Sequence, residues 1–91
     1  MITRRSIVQA RPGVHVADLG AELVLMDANG AVYGVDQVGA AVWAEIGTPA
    51  VVGRVIRNMA DAFGVTRETA EPGVLAFLEQ VQRFGLLDVT F

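Results

Sequence analysis

Residues Asp27 to Ile46 leave this chain little conformational choice. Asn29-Gly30 is a strong hairpin signal, because both residues tolerate positive φ. Ala31 to Val35 (Ala-Val-Tyr-Gly-Val) reads as a strand. Asp36 stands where a helix N-cap belongs, its carboxylate able to accept a backbone N–H from the first turn. Val38, Val42 and Ile46 then recur at helical spacing, with Ala41 beside them. Turn, strand, cap and helix follow one another without slack, so the strand is fixed at both ends. At the edge of a sheet it would offer a rigid row of unpaired backbone groups, a surface suited to receiving a peptide strand. No proline, lysine or bulge blunts it.

The flanking segments set the fold class. Val14 to Asp18 has the β-branched content of a strand, and Glu22 to Asp27 reads as another, apolar through its middle. Three strands joined by short turns predict an antiparallel meander with its first and third strands at the edges. Gly47 closes the first helix, Thr48 can cap the next and Pro49 suits its first position. Val51, Val52, Val55, Ile56, Met59, Ala60 and Phe63 form an apolar stripe on that second helix, opposite Arg54, Arg57, Asn58 and Asp61. Gly64 ends it. Thr66 caps a third helix, in which Pro72-Gly73 predicts either a kink or a fresh start. Phe84, Phe77, Val81, Val74 and Leu78 span about 120° of that helix, and Leu75 widens the arc to about 180°. The excess predicts a helix that faces the core on one side and something else on a flank. Leu86 to Phe91 is expected to trail off as an extended tail. Strands first and helices after predict an α+β domain with the helices on one side of a small sheet. One domain, residues 1–91 with a core of about 14–88, is expected.

Composition narrows the function. The 91 residues include no cysteine, which removes disulfides, thiolate metal sites and cysteine nucleophiles together. His15 is the only histidine, so no zinc site can be assembled. Ser6 is the only serine and has no base near it in sequence. Glu68 and Glu71, three apart, read as solvated carboxylates. Gly30, Gly34 and Gly39 match neither phosphate loop, and no lysine is present for one. Gly34 interrupts a strand, where glycine often marks close approach by another backbone. Gly39 in the first helical turn permits tight packing, and Trp43 reads as a core aromatic. A net charge of −3 disfavours a duplex-DNA binder. No apolar run approaches the roughly 18 to 20 residues of a membrane span, and no secretory signal is visible. A cytoplasmic binding protein without catalysis, metal or cofactor is the expectation.

The block around Tyr33 resembles the PqqD family, the peptide-binding domains also called RiPP recognition elements. The resemblance rests on Tyr33, Val35-Asp36, Gly39, Val42-Trp43 and Ile46, with Asp27 and Gly30 upstream. Phe63-Gly64-Val65, Phe77-Leu78 and Gly85-Leu86-Leu87 continue it downstream, so it covers residues 14 to 88. It implies a winged-helix-like domain, a three-stranded antiparallel sheet followed by three helices. It implies binding of the leader segment of a ribosomally made precursor peptide, added as a strand beside the third strand and lying against the third helix. The chain looks closest to stand-alone leader-binding proteins of lasso-peptide pathways, whose partners are a leader peptidase and a macrocyclising synthetase. A peptide chaperone in another pathway, such as pyrroloquinoline quinone formation, is the alternative within the family. The expected peptide contacts are Ala31, Val32, Tyr33, Gly34 and Val35 on the strand and Val74, Leu75 and Leu78 on the helix. Relatives often carry an acidic residue just before that apolar helix pair; here Gly73 follows Pro72, so no such charge contact is available.

Two readings of other classes compete. A winged-helix DNA binder would use Arg54 and Arg57 on phosphates and show steep salt dependence. An interaction subunit would use the same strand edge on a partner enzyme in place of a leader.

Overall fold

A computed structural model describes residues 1–20 and 22–90. The elements are β1 (Ile7–Ala10), β2 (His15–Asp18), β3 (Leu23–Met26), β4 (Val32–Val35), α1 (Gln37–Glu45), β5 (Ala50–Val51), α2 (Val52–Phe63), α3 (Arg67–Arg83) and β6 (Leu87–Thr90). They make two three-stranded antiparallel sheets, ordered β2-β3-β4 and β5-β1-β6, with the three helices.

The β2-β3-β4 meander has its first and last strands at the edges, as the sequence predicts. The β3–β4 turn differs in detail. Gly30 alone takes positive φ (86°); Asn29 does not. Asp27 pairs with Ala31 through Asp27 N–H to the Ala31 carbonyl, at 3.0 Å. The Asp27 carboxylate accepts from the Asn29 and Ala31 N–H groups, each at 2.9 Å. A three-residue loop with one left-handed glycine thus replaces the expected Asn-Gly pair, and a side chain supplies the missing acceptor.

The second sheet corrects the expected fold. The segment before residue 14 and the tail after Gly85 are paired strands: Ile7 faces Thr90 and Ala10 faces Leu87. Ile2, Val8, Leu86 and Leu87 are buried in the core. Ser6 is buried too, in a turn where its hydroxyl accepts the Thr3 N–H at 3.0 Å. This segment also settles the start of α2. The expected cap at Thr48 and first turn at Pro49 do not form; Ala50–Val51 pairs with β1, and α2 begins at Val52 with no side-chain cap. Its leading N–H groups are taken by the Ser6 and Arg4 carbonyls, both at 2.9 Å. Backbone from a distant strand does the work a capping side chain does elsewhere.

The helices otherwise follow their local signals. Asp36 Oδ1 accepts the Gly39 N–H at 2.8 Å, and Thr66 Oγ1 accepts the Thr69 N–H at 3.1 Å. Gly64 ends α2 in the left-handed conformation (φ 67°), its N–H returning to the Ala60 carbonyl. α3 runs unbroken from Arg67 to Arg83 through Pro72. Proline there forgoes the bond to the Glu68 carbonyl, in the exposed opening turns of the helix. Val42 and Ile46 from α1, Val52, Val55 and Ile56 from α2, and Val74, Leu78 and Val81 from α3 form one core with Leu25 of β3 and Val8 of β1. Trp43 lies in that core. Full burial of such an aliphatic side chain contributes about 1.5–3 kcal/mol each.

Candidate functional site

The free edge of β4 is the functional candidate, and its polarity follows from the hairpin. Ala31 turns its carbonyl toward β3. In an antiparallel ladder alternate residues point their backbone groups the same way. Tyr33 and Val35 therefore bond to β3, where they face Leu25 and Leu23. Val32 and Gly34 direct N–H and C=O outward, and among the described residues no strand covers that side.

Facing this edge is one stripe of α3: Gly73, Phe77, Gln80 and Phe84, with Ala76 on its flank. Two concavities lie between strand and helix. One, of about 280 Å³, is lined by Val32, Tyr33, Gly34, Phe77, Gln80 and Phe84 among others. The next, of about 530 Å³, continues past Gly34 and Phe77 to Val38, Gly39, Gly73 and Ala76. They share Gly34, Val35, Phe77 and Gln80, so they form a single groove along the strand edge.

Both ends of the groove are held by specific contacts. At one end the Tyr33 and Phe84 rings stack, with centroids 4.3 Å apart and planes 20° from parallel. The Tyr33 hydroxyl lies 3.4 Å from Asp27 Oδ2. Desolvation in this packing, and then the Asp27 carboxylate, raise the pKa of Tyr33 above the ordinary phenol value. At the other end Gly39 is buried where α1 crosses the strand. A Cβ there would meet Val35 Cγ1 and come within 2.7 Å of the Phe77 ring. Glycine at 39 lets α1, β4 and α3 meet at one point, which fixes the groove width. Gly73 has nothing within 4 Å of a notional Cβ, so its missing side chain deepens the groove.

The strand residues expected at the site, Ala31 to Val35, lie at or next to this edge, although the Val35 side chain turns into the core. The helix residues need correction. Val74 and Leu78 have no exposed surface and pack in the core, so they do not line the groove. Leu75 is half-buried and lies about 160° round the helix from Phe77, on the flank away from the groove. The apolar arc is wide as expected, but its second face is the Phe77–Phe84 end and not the Leu75 end. The sequence signal for the residues that line this groove is the 73-77-80-84 stripe beside the core stripe. No group of three His, Asp or Glu side chains is placed to hold a metal among the described residues. No described helix is long and apolar enough to cross a membrane.

Two small sheets on three helices, with an open sheet edge set against a helix, define the class: a small α+β domain with a groove running along a strand. The chain belongs to the PqqD family; the family model described as coenzyme PQQ synthesis protein D matches residues 22–87. Among curated proteins, none matches it significantly in sequence. Among solved structures the fold is similar to that of TbiB1 in complex with the TbiA(beta) leader peptide. The TM-score is 0.75 at 24% identity, over 88% of this chain and 94% of that one.

Proposed function

We propose that this protein captures the leader segment of a ribosomally made precursor peptide as an added strand on β4. The observation that carries the reading is the outward pair of backbone groups at Val32 and Gly34, facing a groove walled by Phe77, Gln80 and Phe84. Family membership and the likeness of the fold to a leader-bound protein support it. Main-chain hydrogen bonds give affinity, and alternate side chains of the leader enter the groove and give selectivity. The proposed contacts are Ala31 to Gly34 on the strand and Gly73, Ala76, Phe77, Gln80 and Phe84 on the helix. The protein's role is to hold and present the peptide to tailoring enzymes. In its finer form the pathway makes a lasso peptide, and the partners are a leader peptidase and a macrocyclising synthetase. Titration with the leader of a precursor encoded beside the gene tests the reading. The amide resonances of Val32 and Gly34 should shift most; if they stay unmoved while the leader binds, the site is wrong. Reconstitution with the neighbouring enzymes decides the finer form, through whether a leader-free, threaded product appears.

A further inference from the structure

A second concavity, of about 610 Å³, opens where the end of α1 meets the start of α2. Three guanidiniums border it: Arg54 and Arg57 from α2 and Arg67 from the first turn of α3. All three side chains are exposed, and among the described residues none makes an ion pair or a side-chain hydrogen bond. The single carboxylate lining the concavity, Glu45, accepts a hydrogen bond from Asn58. Of the other four arginines, Arg11 pairs with Asp88 at 2.8 Å and Arg4 with Glu71 at 3.4 Å, while Arg5 and Arg83 make no ion pair among the described residues. Asp61 lies one turn beyond Arg57 on the same helix, yet does not close on it. A chain of net charge −3 thus gathers three unneutralised arginines around one hollow.

We propose that this hollow docks an acidic segment of a second protein. Guanidinium forks match carboxylates bidentately, and three around one cavity match a short run of them. Pro49 and Val51 add an apolar rim, Val51 being 45% exposed, which suits acidic residues flanked by apolar ones. A nucleic acid fits less well, because a chain of net charge −3 repels an extended phosphate backbone as a whole. The β4 groove touches α1 at Val38 and Gly39, whereas the hollow begins at Glu45. Gly39 and Glu45 are six residues apart, a rise of about 9 Å, and lie about 120° apart around the helix, so both sites can be filled at once. The proposal does not depend on what occupies the groove.

The probe is a fluorescein-labelled decapeptide alternating Glu and Val, with a Gln-Val analogue as control. We expect the Nε–Hε resonances of Arg54, Arg57 and Arg67 to shift with the Glu peptide and not with the Gln peptide. We expect the Arg54→Gln/Arg57→Gln double variant to bind about tenfold more weakly by fluorescence anisotropy, through loss of two solvated charge-assisted contacts. The circular dichroism of that variant should be unchanged. Shifts spread evenly over all seven arginines, wild-type affinity in the double variant, or tighter binding of a 12-base-pair duplex at the same ionic strength would each overturn the proposal.

Discussion

Replacing Gly34 by proline removes one outward N–H from β4 while leaving the ladder to β3 intact. Gly34 faces Val24 across that ladder, but by alternation from Ala31 its own N–H points away from β3. Proline is tolerated on an edge strand where the missing N–H faced solvent, so thermal stability should change by less than about 1 kcal/mol. Leader binding should suffer far more. One main-chain hydrogen bond is lost, and a leader carbonyl is left unpaired against the pyrrolidine ring. An unsatisfied group of this kind costs about 2 kcal/mol, roughly thirtyfold in Kd. Gly34→Ala is the matched control. Its Cβ would meet nothing within 4 Å, and the N–H is kept. That variant should bind within about twofold of wild type and gain about 0.5 kcal/mol through the unfolded state. Calorimetric titration with the leader, beside thermal melts of both variants, decides the matter. Wild-type affinity in Gly34→Pro, or an equal loss in Gly34→Ala, would refute strand addition at this edge.

Three further outcomes follow from the same geometry. Gly39→Ala should lower stability by about 1–3 kcal/mol by overpacking against Val35 and Phe77, while Gly73→Ala, free of neighbours in a helix, should raise it by about 1 kcal/mol; urea melts of the pair check the contrast. Asp27→Ala removes the acceptor for the Asn29 and Ala31 N–H groups and should cost about 1–2 kcal/mol, with faster amide exchange confined to the β3–β4 turn. Tyr33 is the only tyrosine, so absorbance at alkaline pH reports it alone; it should titrate above a free phenol, and Asp27→Asn should bring it down. Because the folded-state value is the raised one, the associated stability is complete below the unfolded pKa of about 10 and is lost as pH rises through the folded value.

What the sequence made legible are features whose causes act over a few residues. The Asp36 and Thr66 caps, the Gly64 stop, the Asp27–Ala31 turn and the stripe of α2 are each decided by neighbours within one or two helical turns. The strands Ile7–Ala10, Ala50–Val51 and Leu87–Thr90 are not legible because no short hairpin turn joins any of them to its partner, unlike β2, β3 and β4. Their identity comes from pairing with one another across the chain. The groove wall was half legible for a related reason. A helical wheel shows how wide the apolar arc of α3 is, but which flank meets β4 depends on where α1 is placed. Gly39 sets that placement, and its partners Val35 and Phe77 lie on two other elements.

The pairing of β1 with β6 also bears on the order in which the molecule assembles. Ile7 meets Thr90 across almost the full length of the chain, whereas β2, β3, β4 and α1 follow one another through short connections. Contacts between distant residues form late, because the loop they close must first be ordered. Until Leu87 to Thr90 docks, β1 lacks its longest partner, and the carbonyls that cap α2 are unsecured. The β4 edge and its turn can therefore take shape before the sheet that anchors α2 is complete. Pulse-labelled amide exchange during refolding should show β3 and β4 protected ahead of β1 and β6.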